Sequence, residues 1–403
     1  MISLDEARAY VLERVNALES ITQRLDQALG HVLAEDVVAG ERVPPFANTA
    51  MDGFAVQAAD TAGGSASLNV VGTVAAGAVF DGEVGPGEAA RIMTGAPMPA
   101  GADAVVMVEA TRLDETTNQV EINMEVSSGM HVRGAGEDVE VGDLLFEAGT
   151  LLTGPVLGVL ASVGVQSVSV IRRPTVGVMS TGDELVTADR PLEPGEIRES
   201  NRITLLAAVA SAGCEPVDLG VVEDEPDALR AALADAVSRC DAIITSGGVS
   251  MGAFDYVKVV LDDVGDMRWM QIAIKPAKPF AFGMIGDVAV FGLPGNPVSS
   301  LVSFELMARA ALGLMGGQPD TDLPLIAAIS DDSLGHRPDG KTHFLRVDGE
   351  IGPDGRRRVR RSGAQGSHQL TAMARATALA VVPDGAEIEP GDPVDVLLLA
   401  GAH

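Results

Sequence analysis

The run Ala242-Ile243-Ile244-Thr245-Ser246-Gly247-Gly248-Val249-Ser250-Met251-Gly252 decides how this chain is read. Residues 242–245 are apolar or β-branched without alternation, which predicts a strand buried on both faces. The Gly-rich stretch 246–252 begins where that strand must end. Without Cβ atoms, backbone N–H groups there can approach an anion; a plain strand-to-helix turn fits the same residues. No Walker or dinucleotide fingerprint is present.

Working outward, strands are predicted at 176–179 and 217–222, with helices near 203–211 and 227–238. This alternation predicts a doubly wound, parallel α/β domain over 173–318, with ligands beyond the carboxyl ends of its strands. A hairpin (280–283 with 288–291) and a helix from Pro294-Gly295-Asn296-Pro297 to about 314 complete it. Beyond Gly316-Gly317, short strands at 325–329, 343–347, 358–360, 378–382 and 394–399 predict a C-terminal β domain, 319–403. On the amino side, Ser3 and Glu6 form a capping-box pattern before a helical spacing of Leu4, Ala7, Val11, Val15 and Leu18. A second short helix is expected at about 24–33, ending before Val43-Pro44-Pro45. Short alternating runs from 44 to 140 predict a β insertion, and 151–165 reads as helical again. Residues 1–43 and 141–172 are therefore expected to pack together as a helical, elongated domain. The fold class is multidomain α/β plus β.

The 403 residues exceed one ordinary core, and a hydrophobic content of 46% rules out a disordered chain. The start lacks a basic n-region and an apolar h-region, so no signal peptide is expected, and apolar runs look too short for a membrane span. Cys214 and Cys240 have no metal or redox spacing and are expected as buried thiols in the cytoplasm. The net charge of −29 argues against nucleic acid and anionic membranes as partners. The run Arg356-Arg357-Arg358 with Arg360-Arg361 reads as a solvated strand face, lacking interleaved aromatics.

An acidic protein that handles anions needs local cations or a metal. The chain has four lysines, and two of them lie in Lys275-Pro276-Ala277-Lys278-Pro279. Prolines stiffen that segment, so paired ammonium groups suit a tetrahedral oxyanion. Pro294–Ser299 opens a helix whose N–H groups suit an anion as well. Asp183-Glu184 and Glu223-Asp224-Glu225 follow two predicted strands, and Asp255 follows the Gly-rich stretch. Each fits a solvated loop or, for Asp255, a helix cap. Their convergence at one sheet edge instead predicts a hard cation, Mg²⁺.

Ala50-Met51-Asp52-Gly53-Phe54-Ala55, Thr94-Gly95-Ala96-Pro97, Ser180–Leu185, Gly195-Glu196-Ile197-Arg198-Glu199-Ser200-Asn201, 246–255, 275–279 and 293–299 occur in one order. In that order the chain closely resembles the molybdopterin molybdenumtransferases, whose animal counterpart is the gephyrin E domain. The resemblance spans nearly the whole length. It implies a molybdopterin-binding α/β domain, a small barrel-like C-terminal domain and a two-fold homodimer with its site between subunits. It implies a Mg²⁺-dependent transferase that takes adenylyl-molybdopterin and molybdate and releases AMP, with other cofactor-biosynthesis proteins as further partners. By matching position, Glu184, Asp224 and Asp255 are the acidic, metal-handling residues, and Asp52, Thr94 and Asp138 come from the partner subunit. Ser246, Gly247, Gly248, Ser250 and Pro294 line the pterin or adenylyl subsite. Lys275, Lys278, Ser299, Arg346 and Ser367 cradle molybdate.

The chain departs from the family's commonest pattern at Ala47, Phe54, Ala277 and Thr371-Ala372, where Asp, Tyr, Gly and a Ser pair are usual. Two rival readings are a dimerising scaffold and a pterin adenylyltransferase. No second enzyme domain or long linker is appended, which disfavours the first; the extra β domains and Lys-Pro-Ala-Lys-Pro disfavour the second.

Overall fold

The computed structural model describes residues 1–187, 189–248, 256–319 and 321–399. Its central sheet runs in the order Glu215–Val222, Thr175–Thr181, Ala242–Ser246, Val288–Leu293, Pro279–Ile285, Asp266–Gln271. The first four strands are parallel, and Pro279–Ile285 runs antiparallel to both of its neighbours, Val288–Leu293 and Asp266–Gln271. The hairpin thus adds an antiparallel edge to the expected parallel sheet, a common arrangement in doubly wound folds.

Ala242–Ser246 is buried throughout because both faces of the sheet are covered. Ile244 and Val178 face a core shared with helices Asn201–Ser211 and Pro297–Ser303. Ile243 and Met179 face the opposite core, with helices Pro226–Val237 and Tyr256–Val264. Burying each of these isoleucines contributes about 1.5–3 kcal/mol.

Helix Leu4–Leu12 begins as predicted, with the Glu6 N–H donating to Ser3 Oγ at 3.1 Å. Its location differs from expectation. Ala7, Val11 and Val15 enter the α/β core rather than packing against 151–165. The Leu18 N–H donates to Met315 O at 2.9 Å, fastening the end of this segment. The helix expected at 24–33 is also corrected: only a turn, Leu25–Gln27, is helical, and Val32–Leu33 is a strand. Ser20–Arg24 and Val32–Leu33 flank Ser167–Ile171 in a three-stranded sheet, and these ladder bonds override a helical spacing. Helix Gly154–Ser162 covers that sheet through Leu160, against Leu33, Leu152 and Val170.

The chain leaves this region beside the Val43–Val139 bridge and returns through Leu144–Phe146, which pairs with Val37–Val38. Between these points lies a six-stranded sheet, ordered Ala104–Met107, Gly53–Val56, Glu88–Ile92, Ala66–Val74, Gln119–Ile122, Thr111–Asp114. At the other end, Thr342–Ile351 pairs with both Arg357–Arg361 and Ala378–Val382. Leu325–Ser330 and Pro393–Leu398 complete a closed five-stranded barrel. Arg358 pairs with Asp331 at 2.6 Å and Arg360 with Asp348 at 3.7 Å, so the basic strand is matched by the barrel's own carboxylates.

Residues Pro297–Met315 form a continuous 19-residue helical segment of mean hydropathy 1.4, long and apolar enough to cross a membrane. The sequence expectation of only short apolar runs is corrected here. The segment is 83% buried inside the protein, as a core helix is. Cys214 and Cys240 are both buried, and burial pushes the Cys214 thiol up to about 12.

Candidate functional site

A cleft of about 860 Å³ opens beyond the carboxyl ends of the parallel strands. Four strand ends contribute to it: Ser180 to Gly182 with Glu184, Asp224, Ser246 to Gly248, and Pro294 to Pro297. Gly247 and Gly248 have φ of 102° and 69°, the region that favours glycine. A Cβ on Gly248 would lie 2.4 Å from Val257 Cβ, so this corner needs glycine on steric grounds as well.

The anion-facing donors are partly committed to the fold. The Gly247 N–H donates to Leu293 O at 3.1 Å, and the Val298 N–H donates to Ser367 O at 3.0 Å. Asn201 ties the two loops together, with Nδ2 donating to Ser246 Oγ and Gly295 O, both at 2.7 Å. Behind it, Glu199 is buried and accepts from Ser180 Oγ at 2.9 Å and from the Arg202 N–H at 2.7 Å. The spacing of residues 195–201 gives no sign by itself that Asn201 and Glu199 brace the strand ends.

The cleft is acidic. Glu184, Glu199 and Asp224 line it, against Arg198 as the one Lys or Arg among its described lining residues. The Asp224 N–H donates to Asp183 Oδ1 at 3.4 Å. Burial, then the charges of Asp183 and Glu184, push the Asp224 carboxyl above the usual carboxylate range. Like charges gathered this closely fit a cation better than they fit each other. Ser250 and Asp255 lie outside the described residues.

The residues expected to hold an oxyanion gather elsewhere. Lys275 and Arg346 line a second cavity of about 230 Å³ with His336, His343, Arg361 and Gln365. Lys275 reaches it because Ile274–Lys275 pairs with the barrel strand, Lys275 opposite His343. Arg346 is 1% exposed and donates to the carbonyls of Ala364 and Gly366 at 3.1 and 3.2 Å, and burial lowers its pKa. Lys278 is exposed and lines neither cavity, and Ser299 is buried beside the Val298–Ser367 hydrogen bond. The loop at 363–369 stands between the two cavities, giving Gln365 to the smaller one and His368 to the cleft.

The insertion's candidates also gather apart from the cleft. Asp52 accepts from the Thr94 N–H and Oγ1, each at 2.7 Å, and these bonds hold its carboxyl below the usual range. The loops at 48–52, 93–97 and 131–138 meet through the Thr49–Val132 and Asn48–Pro97 pairings. Asp138, Asp52 and Thr94 are exposed, and none lines the cleft of the single chain.

Three family models match the chain: the MoeA N-terminal region (domain I and II) over 2–164, a probable molybdopterin binding domain over 177–313, and the MoeA C-terminal region (domain IV) over 335–399. A molybdopterin molybdenumtransferase of Haemophilus influenzae is 37% identical over 399 residues, covering 98% of each chain. A molybdopterin molybdenumtransferase 2 of Mycobacterium tuberculosis is 39% identical over 409 residues, covering 98% of this chain and 99% of that one. The solved molybdopterin biosynthesis protein MoeA from Pyrococcus horikoshii superposes with a TM-score of 0.82 at 28% identity, covering 99% and 100% of the two chains. Full-length likeness to these proteins, together with a cleft at the strand ends of a matching central domain, leads to one conclusion: the chain belongs to the molybdopterin molybdenumtransferase (MoeA) family.

Proposed function

We propose that this protein inserts molybdate into adenylyl-molybdopterin with release of AMP, in a Mg²⁺-dependent step of molybdenum cofactor biosynthesis. The observation that carries the reading is the cleft at four strand ends, with a Gly-rich corner on one side and clustered carboxylates on the other. Ser246, Gly247, Gly248 and Pro294, with Ser250, hold the phosphate or adenylyl portion. Asn201 keeps Ser246 and Gly295 at fixed spacing, which spares the site that ordering cost on binding. Glu184 and Asp224, with Asp255, suit a hard divalent ion by donor chemistry. Mg²⁺ supplies charge neutralisation at the phosphoanhydride and at departing AMP.

Molybdate is a tetrahedral dianion, and Lys275 with the buried Arg346 offers fixed positive charge for it. Lys278, Ser299 and Ser367, which line neither cavity in the single chain, are assigned to molybdate by their sequence positions alone. Asp52, Thr94 and Asp138 are assigned to the site of a partner subunit in a cytoplasmic homodimer, a reading supported by their exposed, mutually braced loops. The domain division proposed is 1–43 with 141–172, 44–140, 173–318 and 319–403, the first helix of the first domain packing onto the α/β core.

The test is to mix purified protein with adenylyl-molybdopterin and Mg²⁺, with and without molybdate. Molybdate-dependent AMP release is expected. AMP release indifferent to molybdate, or none at all, would refute the proposal; equilibrium sedimentation checks the dimer.

A further inference from the structure

The barrel carries a cluster that the proposed reaction does not use. His336, Asp339 and His343 each offer one donor atom, and these atoms all lie within 4.8 Å of one another. The His336 and His343 rings stack with centroids 3.4 Å apart and planes 1° from parallel. His343 Nε2 lies 3.2 Å from both carboxylate oxygens of Asp339.

The state of His336 can be worked out from its neighbours. Its Nδ1 lies 2.8 Å from the Arg337 carbonyl, which can only accept, so Nδ1 carries the proton. In the neutral ring Nε2 is then a bare lone pair, and that atom is buried with no hydrogen-bond partner. A buried acceptor without a donor is costly and calls for an explanation. A backbone carbonyl holding the far nitrogen is the usual support for an imidazole that ligates a metal. The segments are braced too: the His336 N–H donates to Ala386 O at 3.2 Å, and Asp384 accepts from the Asp339 and Gly340 N–H groups at 2.8 and 3.0 Å.

We propose that His336, Asp339 and His343 form a binding site for a borderline transition-metal cation of the Zn²⁺ class, separate from the acidic cleft. Two imidazole nitrogens and one carboxylate oxygen are a three-ligand set that leaves a fourth position for water or an outside ligand. His336 and His343 also line the 230 Å³ cavity with Lys275 and Arg346, from which a fourth ligand would enter. A tetrahedral ion with ligands at about 2.1 Å has its donors about 3.4 Å apart, so the widest pair, within 4.8 Å, draws in by up to about 1.4 Å and one imidazole tilts out of the parallel stack on loading.

The experiment uses full-length protein without a histidine tag, stripped with chelator and titrated with Zn²⁺ by calorimetry and with Co²⁺ by visible absorption. One Zn²⁺ per chain is expected, with Co²⁺ giving the intense d–d bands of a four-coordinate site. Excess Mg²⁺ should not displace Co²⁺. His336→Gln and His343→Gln should each weaken Zn²⁺ binding by more than about 10-fold. Should either variant fail to fold by circular dichroism, the wild type still decides: Zn²⁺ must shift the imidazole ¹⁵N resonances of two histidines of the full-length protein. Equal Zn²⁺ affinity in wild type and folded variants, no four-coordinate Co²⁺ spectrum, or unmoved imidazole resonances overturns the proposal.

Discussion

The acidic cleft and the cationic cavity are neighbours across the loop at 363–369, yet their electrostatics are opposite. Glu184, Glu199 and Asp224 face the cleft, whereas Lys275, Arg346 and Arg361 face the cavity. A chain with a net charge of −29 has no long-range attraction for anions to exploit. The contrast teaches that such a protein can confine positive charge to one small chamber and leave the other to a cation. It also separates the two reactants of the proposed transfer, the bulky nucleotide in the cleft and the oxyanion in the chamber.

The sharpest break of that contrast is on the cleft side. Asp224→Asn should lower kcat/KM for AMP release by ~100-fold while molybdate affinity stays unchanged. The same variant should melt at a slightly higher temperature at neutral pH. Because the folded state raises the Asp224 pKa, that carboxyl is held more tightly protonated than in the unfolded chain. Its charge therefore opposes folding above that raised value and ceases to do so as pH falls below the unfolded value. Calorimetry without Mg²⁺ checks this; a lower melting temperature would contradict the like-charge account.

On the chamber side, Lys275→Ala should raise the KM for molybdate ~10- to 100-fold, the loss of one charge-assisted contact, with nucleotide binding unaffected. Weaker nucleotide binding with unchanged molybdate dependence would merge the two regions into one site. Asn201→Ala, which frees Ser246 from Gly295, should cost about 1–2 kcal/mol of stability and raise the nucleotide KM by roughly 10-fold. Denaturant titration and steady-state kinetics read the two effects.

The smallest effect is expected at Ala277, between the lysines. It has φ of 74° and is 3% exposed, a left-handed position that favours glycine. Ala277→Gly should relieve about 1–2 kcal/mol of strain and lose about 0.8 kcal/mol of methyl burial, a net gain of about 0.2–1.2 kcal/mol. A clear loss of stability would show that packing of the methyl outweighs the backbone.

The central α/β domain was legible because Ile243, Ile244 and their neighbours form unbroken apolar runs that only a doubly covered sheet accommodates. The carboxylates of Glu184 and Asp224 could be anticipated at one sheet edge for the same reason, as could the Gly-rich corner. Residues 24–33 misled: their helical spacing is real, but Ser167–Ile171 offers ladder partners that no local pattern reveals. The first helix was legible as a helix and illegible as to partner, since an apolar stripe does not name the face it covers.

By itself, then, the sequence determined the strand–helix alternation, the turn positions that require glycine and the family to which the chain belongs. Tertiary structure alone decided that the lysine segment joins the barrel's cavity rather than the cleft, that Asn201 and Glu199 brace the strand ends, and that His336 stacks on His343. The physical reason is range. Propensity and periodicity act over a few residues, whereas the pairing of Lys275 opposite His343 and the closure of the barrel depend on contacts between segments far apart in the chain.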